Sequence, residues 1–135
     1  MKFVDRLDEM STLENEYRRH SASFVVVYGR RRVGKTELIR HFIKEKPSLY
    51  FLASEESESL NRESFKRQAA DYLNDDLLRE AAIERWELIF ERLVASSDSK
   101  RLVIVIDEFQ YIGKNNPAFL FCILANLFAS LSKFD

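Results

Sequence analysis

The chain has 135 residues, 46% of them apolar and 13% aromatic, with 21 Lys and Arg against 22 Asp and Glu for a net charge of −1. That much core-forming mass excludes intrinsic disorder and suits one domain or part of a larger one, and the balanced charge excludes adhesion to nucleic acid or an anionic membrane by field alone. A lone cysteine, Cys122, excludes an internal disulfide and a thiol zinc cage. The opening Met1-Lys2-Phe3-Val4-Asp5-Arg6 puts charges where a signal peptide keeps its apolar stretch. No run of about 18 apolar residues could span a bilayer. These features predict a soluble, cytoplasmic protein with no membrane association.

In chain order, Leu7, Met10, Leu13 and Tyr17 recur at helical spacing, with Asp5 as a candidate N-cap. Ser23 to Tyr28 is a continuous β-branched and aromatic run, the pattern of a strand covered on both faces. Gly29 to Gly34 reads as a tight loop. A helix follows from Thr36, with Leu38, Ile39, Phe42 and Ile43 on one face and Pro47 closing it. Leu49 to Ala53 reads as a second buried strand. Residues 54–63 are polar and rich in Ser and Glu, and lead into a helical period through Phe65, Ala69, Tyr72 and Leu73. After a break at Asn74-Asp75-Asp76, Leu77 and Leu78 follow. Ile83, Trp86, Ile89, Phe90 and Leu93 mark a further helix, ended by Ser96-Ser97-Asp98-Ser99. Leu102 to Ile106 is the strongest strand signal and delivers Asp107-Glu108 at its end. Past Gly113 and Pro117, a last helix is expected from Phe119 to Leu131, apolar almost all round. Alternating strands and helices imply an α/β fold with a parallel sheet flanked by helices.

Gly29-Arg30-Arg31-Arg32-Val33-Gly34-Lys35-Thr36 satisfies G-x-x-x-x-G-K-[ST], the Walker A pattern, in full. Glycines let the backbone wrap an anion with successive N–H groups pointing inward. The following helix adds its unpaired N–H groups and the positive end of its dipole. Lys35 then serves the β- and γ-phosphates, and the Thr36 hydroxyl is a candidate Mg²⁺ ligand. A basic surface turn holding two glycines by chance is the competing interpretation; the flanking strand and amphipathic helix argue against it.

Leu102 to Asp107 has the Walker B form, an apolar strand ending in an acid at the sheet edge where open α/β sheets bind ligands. In that role Asp107 partners Mg²⁺ through water, and Glu108 polarises a water for in-line attack on the γ-phosphate. The alternative is a solvated strand end. No guanine-reading Asn-Lys-x-Asp or Thr-Lys-x-Asp segment occurs, which favours ATP over GTP by absence.

Phe3 to Met10, Gly29 to Leu38 and Asp107-Glu108-Phe109-Gln110-Tyr111 together resemble the archaeal-type ATPase family, in the STAND branch of P-loop NTPases and related to AAA+ proteins. The resemblance runs from residue 3 to about residue 131 and includes Asn116-Pro117-Ala118-Phe119. It implies an Asp-Glu class P-loop fold, with Phe3, Val4 and Arg6 beside adenine and the 29–37 segment, Glu37 included, around the phosphates. Lys35 and Glu108 would carry catalysis, and Thr36 and Asp107 the metal. Phe3 and Val4 equally suit a hydrophobic staple for the first helix. Longer family members continue into a polar sensor strand lying between the first strand and the Asp-Glu strand, then a lid and a winged-helix domain. Residues 1–135 are therefore expected to form the N-terminal portion of a P-loop ATPase domain, without sensor strand or lid. The surplus apolar surface of the last helix would then meet missing chain, a protein partner or a second copy. Nucleic acid would bind only through domains not in this chain.

Three functions are compatible with this reading: an ATPase switch in the complete protein, an ATP-gated binding module, or a fragment with little hydrolysis of its own. Arg30, Arg31 and Arg32 could meet phosphate or lie solvated on the loop. His20 and His41 lack ligand-spaced partners. Cys122 reads as a small buried hydrophobe, Trp86 and Phe90 as packing groups, and Gln110 as either a γ-phosphate contact or a loop cap.

Overall fold

A computed structural model describes residues 7–19, 24–29, 35–96, 102–113 and 129–134. The elements are α1 (Leu7–Arg19), β1 (Phe24–Gly29), α2 (Lys35–Ile43), β2 (Ser48–Leu52), α3 (Glu58–Leu73), α4 (Asp76–Glu80), α5 (Trp86–Ser96), β3 (Leu102–Asp107), α6 (Gln110–Gly113) and β4 (Ala129–Phe134). Among the described residues one four-stranded sheet has the order β2-β3-β1-β4, with all neighbours parallel. The expected α/β class with helices flanking a parallel sheet is therefore what the chain adopts.

Side chains of a strand alternate between faces, and the two faces of β3 feed two cores. Leu102, Ile104 and Ile106 join Leu49, Phe51 and Tyr28 under α3 and α5, in a cluster centred on Phe65, Trp86 and Phe90. Phe65 stands at the centre, its ring 5.3 Å from those of Phe51 and Phe90 and 5.5 Å from Trp86. Trp86 and Phe90 are thus packing groups. Val103 and Val105 face the other way, onto Ile39 and Phe42 of α2, with Met10, Leu13 and Tyr17 of α1 outside them. Every residue of β3 is buried, which is why its hydrophobic run is unbroken. Lys46 ties α1 to the end of α2: its Nζ lies 2.7 Å from Glu14 and 4.4 Å over the Phe42 ring, and donates to the Phe42 carbonyl.

Caps explain the breaks. Ser57 Oγ accepts from the Leu60 N–H at the start of α3, and Asn74, at φ 54°, ends that helix in the left-handed region that Asn tolerates. Asp75 then caps α4 through the Leu78 N–H at 3.0 Å.

Four expectations need correction. The helix foreseen over 119–131 does not extend through Ala129–Leu131, which belong to β4; residues 119–128 lie outside the described set. The argument for a partner or self-association on the outer face of that helix loses its basis at those three residues. Ile83 precedes α5 rather than lying within it, although it packs against the main core. Tyr72 is 45% exposed, while Ala70, Lys66 and Asn61 are buried in its place. Gly29 is the last rung of β1 instead of the first residue of a loop. Within the described sheet β1 and β3 pair directly, with β4 on the opposite side of β1.

Candidate functional site

The site is built by strand ends. In the β1–β3 register Gly29 stands beside Asp107, so the first glycine of the G-x-x-x-x-G-K-[ST] sequence and the acid ending β3 occupy adjacent strands, about 5 Å apart. Two backbone hydrogen bonds secure the turn beyond β3. The Phe109 N–H donates to the Gly29 carbonyl at 2.9 Å, and the Ala53 N–H donates to the Asp107 carbonyl at 3.0 Å. Phe109 folds back onto Tyr28, with ring centroids 4.9 Å apart.

Alternation along β3 places Asp107 on the Val103–Val105 face, the face covered by α2. Its side chain is fully buried. Oδ1 accepts from the Glu108 N–H at 2.9 Å, and Oδ2 accepts from the Tyr50 hydroxyl. Glu108 adopts φ 59°, a left-handed conformation that costs a non-glycine residue ~1–2 kcal/mol and that is characteristic of functional turns. Its side chain is part-exposed at the sheet edge, next to the buried acid.

Thr36 lies one turn before Ile39 on α2, on the same side of the sheet as Asp107. Its Oγ1 is buried with no hydrogen-bond partner among the described residues. An unpaired buried hydroxyl is costly, so one on the face of the sheet that also carries a buried carboxylate marks a place for a missing partner. Hydroxyl and carboxylate oxygens are the donor types that suit Mg²⁺, and on this observation the residues present fit that ion. Gln110 Oε1 is also buried, with no hydrogen-bond partner among the described residues. Glu37 is exposed and pairs with His41 at 3.5 Å, on the outer side of α2.

Lys35 is the first residue of α2. Its side chain, together with Phe3, Val4, Arg6, Arg30, Arg31, Arg32, Val33 and Gly34, lies outside the described residues. The two residues the sequence reading did not single out are Tyr50 and Asn61. Asn61 is buried and organises the loop after β2, accepting from the Ser54 N–H and donating to the Ser54 carbonyl, each at 3.0 Å. A phenol inside a buried strand requires a polar partner, which flags Tyr50, but that its partner is Asp107 follows only from the pairing of β2 with β3.

Among the described residues no helix is long and apolar enough to cross a membrane. The chain is 36% identical over 115 residues to MJECL04, an uncharacterized protein of Methanocaldococcus jannaschii; the match covers 85% of this chain and 24% of that protein. A second protein of the same organism, the uncharacterized ATP-binding protein MJ0423, is 46% identical over 44 residues, covering 33% of this chain and 75% of its own length. The chain thus spans about a quarter of MJECL04. No solved structure matches it. A family described as an ATPase domain predominantly from Archaea matches residues 3–135, and the chain belongs to that family.

Proposed function

We propose that the chain binds ATP with Mg²⁺ at the edge formed by β1, α2 and β3, and that the complete protein hydrolyses it to ADP and phosphate as a nucleotide-driven conformational switch. The observation that carries this is the register of Gly29 against Asp107, which puts the first residue of the G-x-x-x-x-G-K-[ST] sequence beside a buried acid. Family membership and the similarity to an ATP-binding protein agree with it.

The residue roles follow from chemistry. Backbone N–H groups of the 29–36 segment and the N-terminus of α2 bind phosphate oxygens, and Lys35 supplies a compact positive charge to the β- and γ-phosphates. Thr36 Oγ1 and Asp107 would hold Mg²⁺, Asp107 through water. When bound, that ion neutralises charge building on the phosphates. Glu108, beside Asp107, orients the attacking water and accepts its proton. Phe3, Val4 and Arg6 complete the proposal as adenine neighbours. Residues 1–135 would be the N-terminal portion of the ATPase domain, and the chain alone is proposed to turn over slowly.

Calorimetric titration of the chain with Mg·ATP tests the binding step. Saturable heat that Lys35→Ala abolishes supports the proposal, whereas no heat, or an unaltered affinity in that variant, overturns it. For hydrolysis the complete protein is needed: Glu108→Gln is expected to keep binding while lowering turnover by two or more orders of magnitude, and unchanged turnover refutes the role given to Glu108.

A further inference from the structure

The Tyr50 hydroxyl reaches the acid at the end of β3. Tyr50 sits in the middle of β2, in register with Val105, two residues before Asp107. Its ring packs into the core under α1 and α2, on the face that also carries Asp107 and Thr36. Two constraints fix where its hydroxyl points. The parallel ladder holds its backbone, and its carbonyl accepts a hydrogen bond from the Gln68 side chain of α3. The hydroxyl donates to Asp107 Oδ2 while the Glu108 N–H donates to Oδ1. These two donors, placed on different oxygens, define the plane of the carboxylate and oppose rotation about its Cβ–Cγ bond. Each carboxylate oxygen has two lone pairs, so accepting from Tyr50 does not by itself close Oδ2 to a metal-bound water.

We infer that Tyr50 is a positioning residue: it holds the buried Asp107 carboxylate in the orientation that receives the hydration shell of Mg²⁺ on ATP. This rests on the functional reading above. It differs in what it predicts, because Tyr50 touches neither the nucleotide nor the ion. Its removal therefore weakens the part of ATP affinity that Mg²⁺ contributes and spares the part that phosphate binding supplies without metal.

The experiment is calorimetry of ATP binding to the 135-residue chain, once with Mg²⁺ and once with EDTA, for the parent, Tyr50→Phe and Asp107→Asn. In Tyr50→Phe the gain in affinity from Mg²⁺ is expected to shrink about tenfold, the scale of a hydrogen bond to a charged group, with the EDTA affinity unchanged. If Tyr50→Phe retains the full gain while Asp107→Asn loses it, the inference about Tyr50 fails and the metal role of Asp107 stands. If both retain it, the metal role of Asp107 fails and takes the inference with it. If Tyr50→Phe weakens both affinities alike, Tyr50 is only structural and the inference is overturned. A measurement on the parent covers the case in which Tyr50→Phe does not fold. With 3-fluorotyrosine throughout, and Tyr17, Tyr28, Tyr72 and Tyr111 replaced in turn for assignment, the Tyr50 fluorine resonance should move when Mg²⁺ joins bound ATP. A stationary resonance refutes the inference.

Discussion

Thr36→Val should make the nucleotide-free protein more stable and its nucleotide complex weaker. The Thr36 hydroxyl is buried without a partner among the described residues, and leaving such a group unsatisfied costs ~1–3 kcal/mol. Valine keeps the branched shape at χ1 and a similar helix propensity, so the substitution removes the unsatisfied oxygen and little else. Taking the lower end, because the residue as a whole is only part-buried, the gain is about 1 kcal/mol. For a domain of this size that raises the melting temperature by about 4 °C. Mg·ATP at roughly a hundred times its Kd would add ~2.7 kcal/mol to the parent, or about 10 °C. In the variant that increment should fall below about a third, since a metal-side oxygen has gone. Differential scanning calorimetry with and without Mg·ATP measures both numbers. A lower melting temperature for the nucleotide-free variant would mean that the hydroxyl has a partner after all. An undiminished increment would mean that Thr36 does not face the metal.

Two further outcomes follow from the same turn and from the α3–α4 junction. Glu108 holds φ 59°, so Glu108→Gly should exceed Glu108→Ala in stability by about 1 kcal/mol in urea unfolding, because only glycine takes that conformation without strain; equal stabilities would show that the turn relaxes. The Asp75 carboxyl is held below its ordinary value by its hydrogen bond with Arg92, assisted by the Leu78 N–H. A lowered folded-state value means that this stabilisation is complete above the ordinary aspartate range and is lost as pH falls through the lowered value. Asp75→Asn keeps the cap acceptor but loses the charge, and should flatten the fall in melting temperature as pH drops from neutrality through and below the ordinary aspartate range; an equally steep fall refutes the assignment.

The parts of the fold that the sequence made legible are those where burial alone decides. β3 is covered on both faces and reads as Leu102-Val103-Ile104-Val105-Ile106 without interruption. The apolar positions of α2 at 38, 39 and 42 are those it buries. At Ala129–Leu131 the structure departs from the expected helix because a continuous apolar run suits a helix or a buried strand equally; the alternation Ser130-Leu131-Ser132 is the strand signal there. On α3 the buried face includes Asn61 and Lys66, whose polarity hides it from any hydrophobic period. Asn61 is buried because the loop at Ser54 needs its amide, and Lys66 because its ammonium reaches the Ala81 carbonyl. For the site, Asp107 and Glu108 were legible from position along the chain. The Tyr50 contact was not, since it spans 57 residues and depends on the register of two parallel strands.

The lacing at the tip of β3 has a mechanical consequence. Asp107 is tethered through its carbonyl to Ala53 on one flank, and its neighbour Phe109 is tethered to Gly29 on the other. Ala53 leads straight into Ser54, whose N–H and carbonyl are both held by the side-chain amide of Asn61 in α3. A shift of the acidic tip toward an incoming triphosphate would therefore pull like a drawstring on the 53–57 loop at the rim.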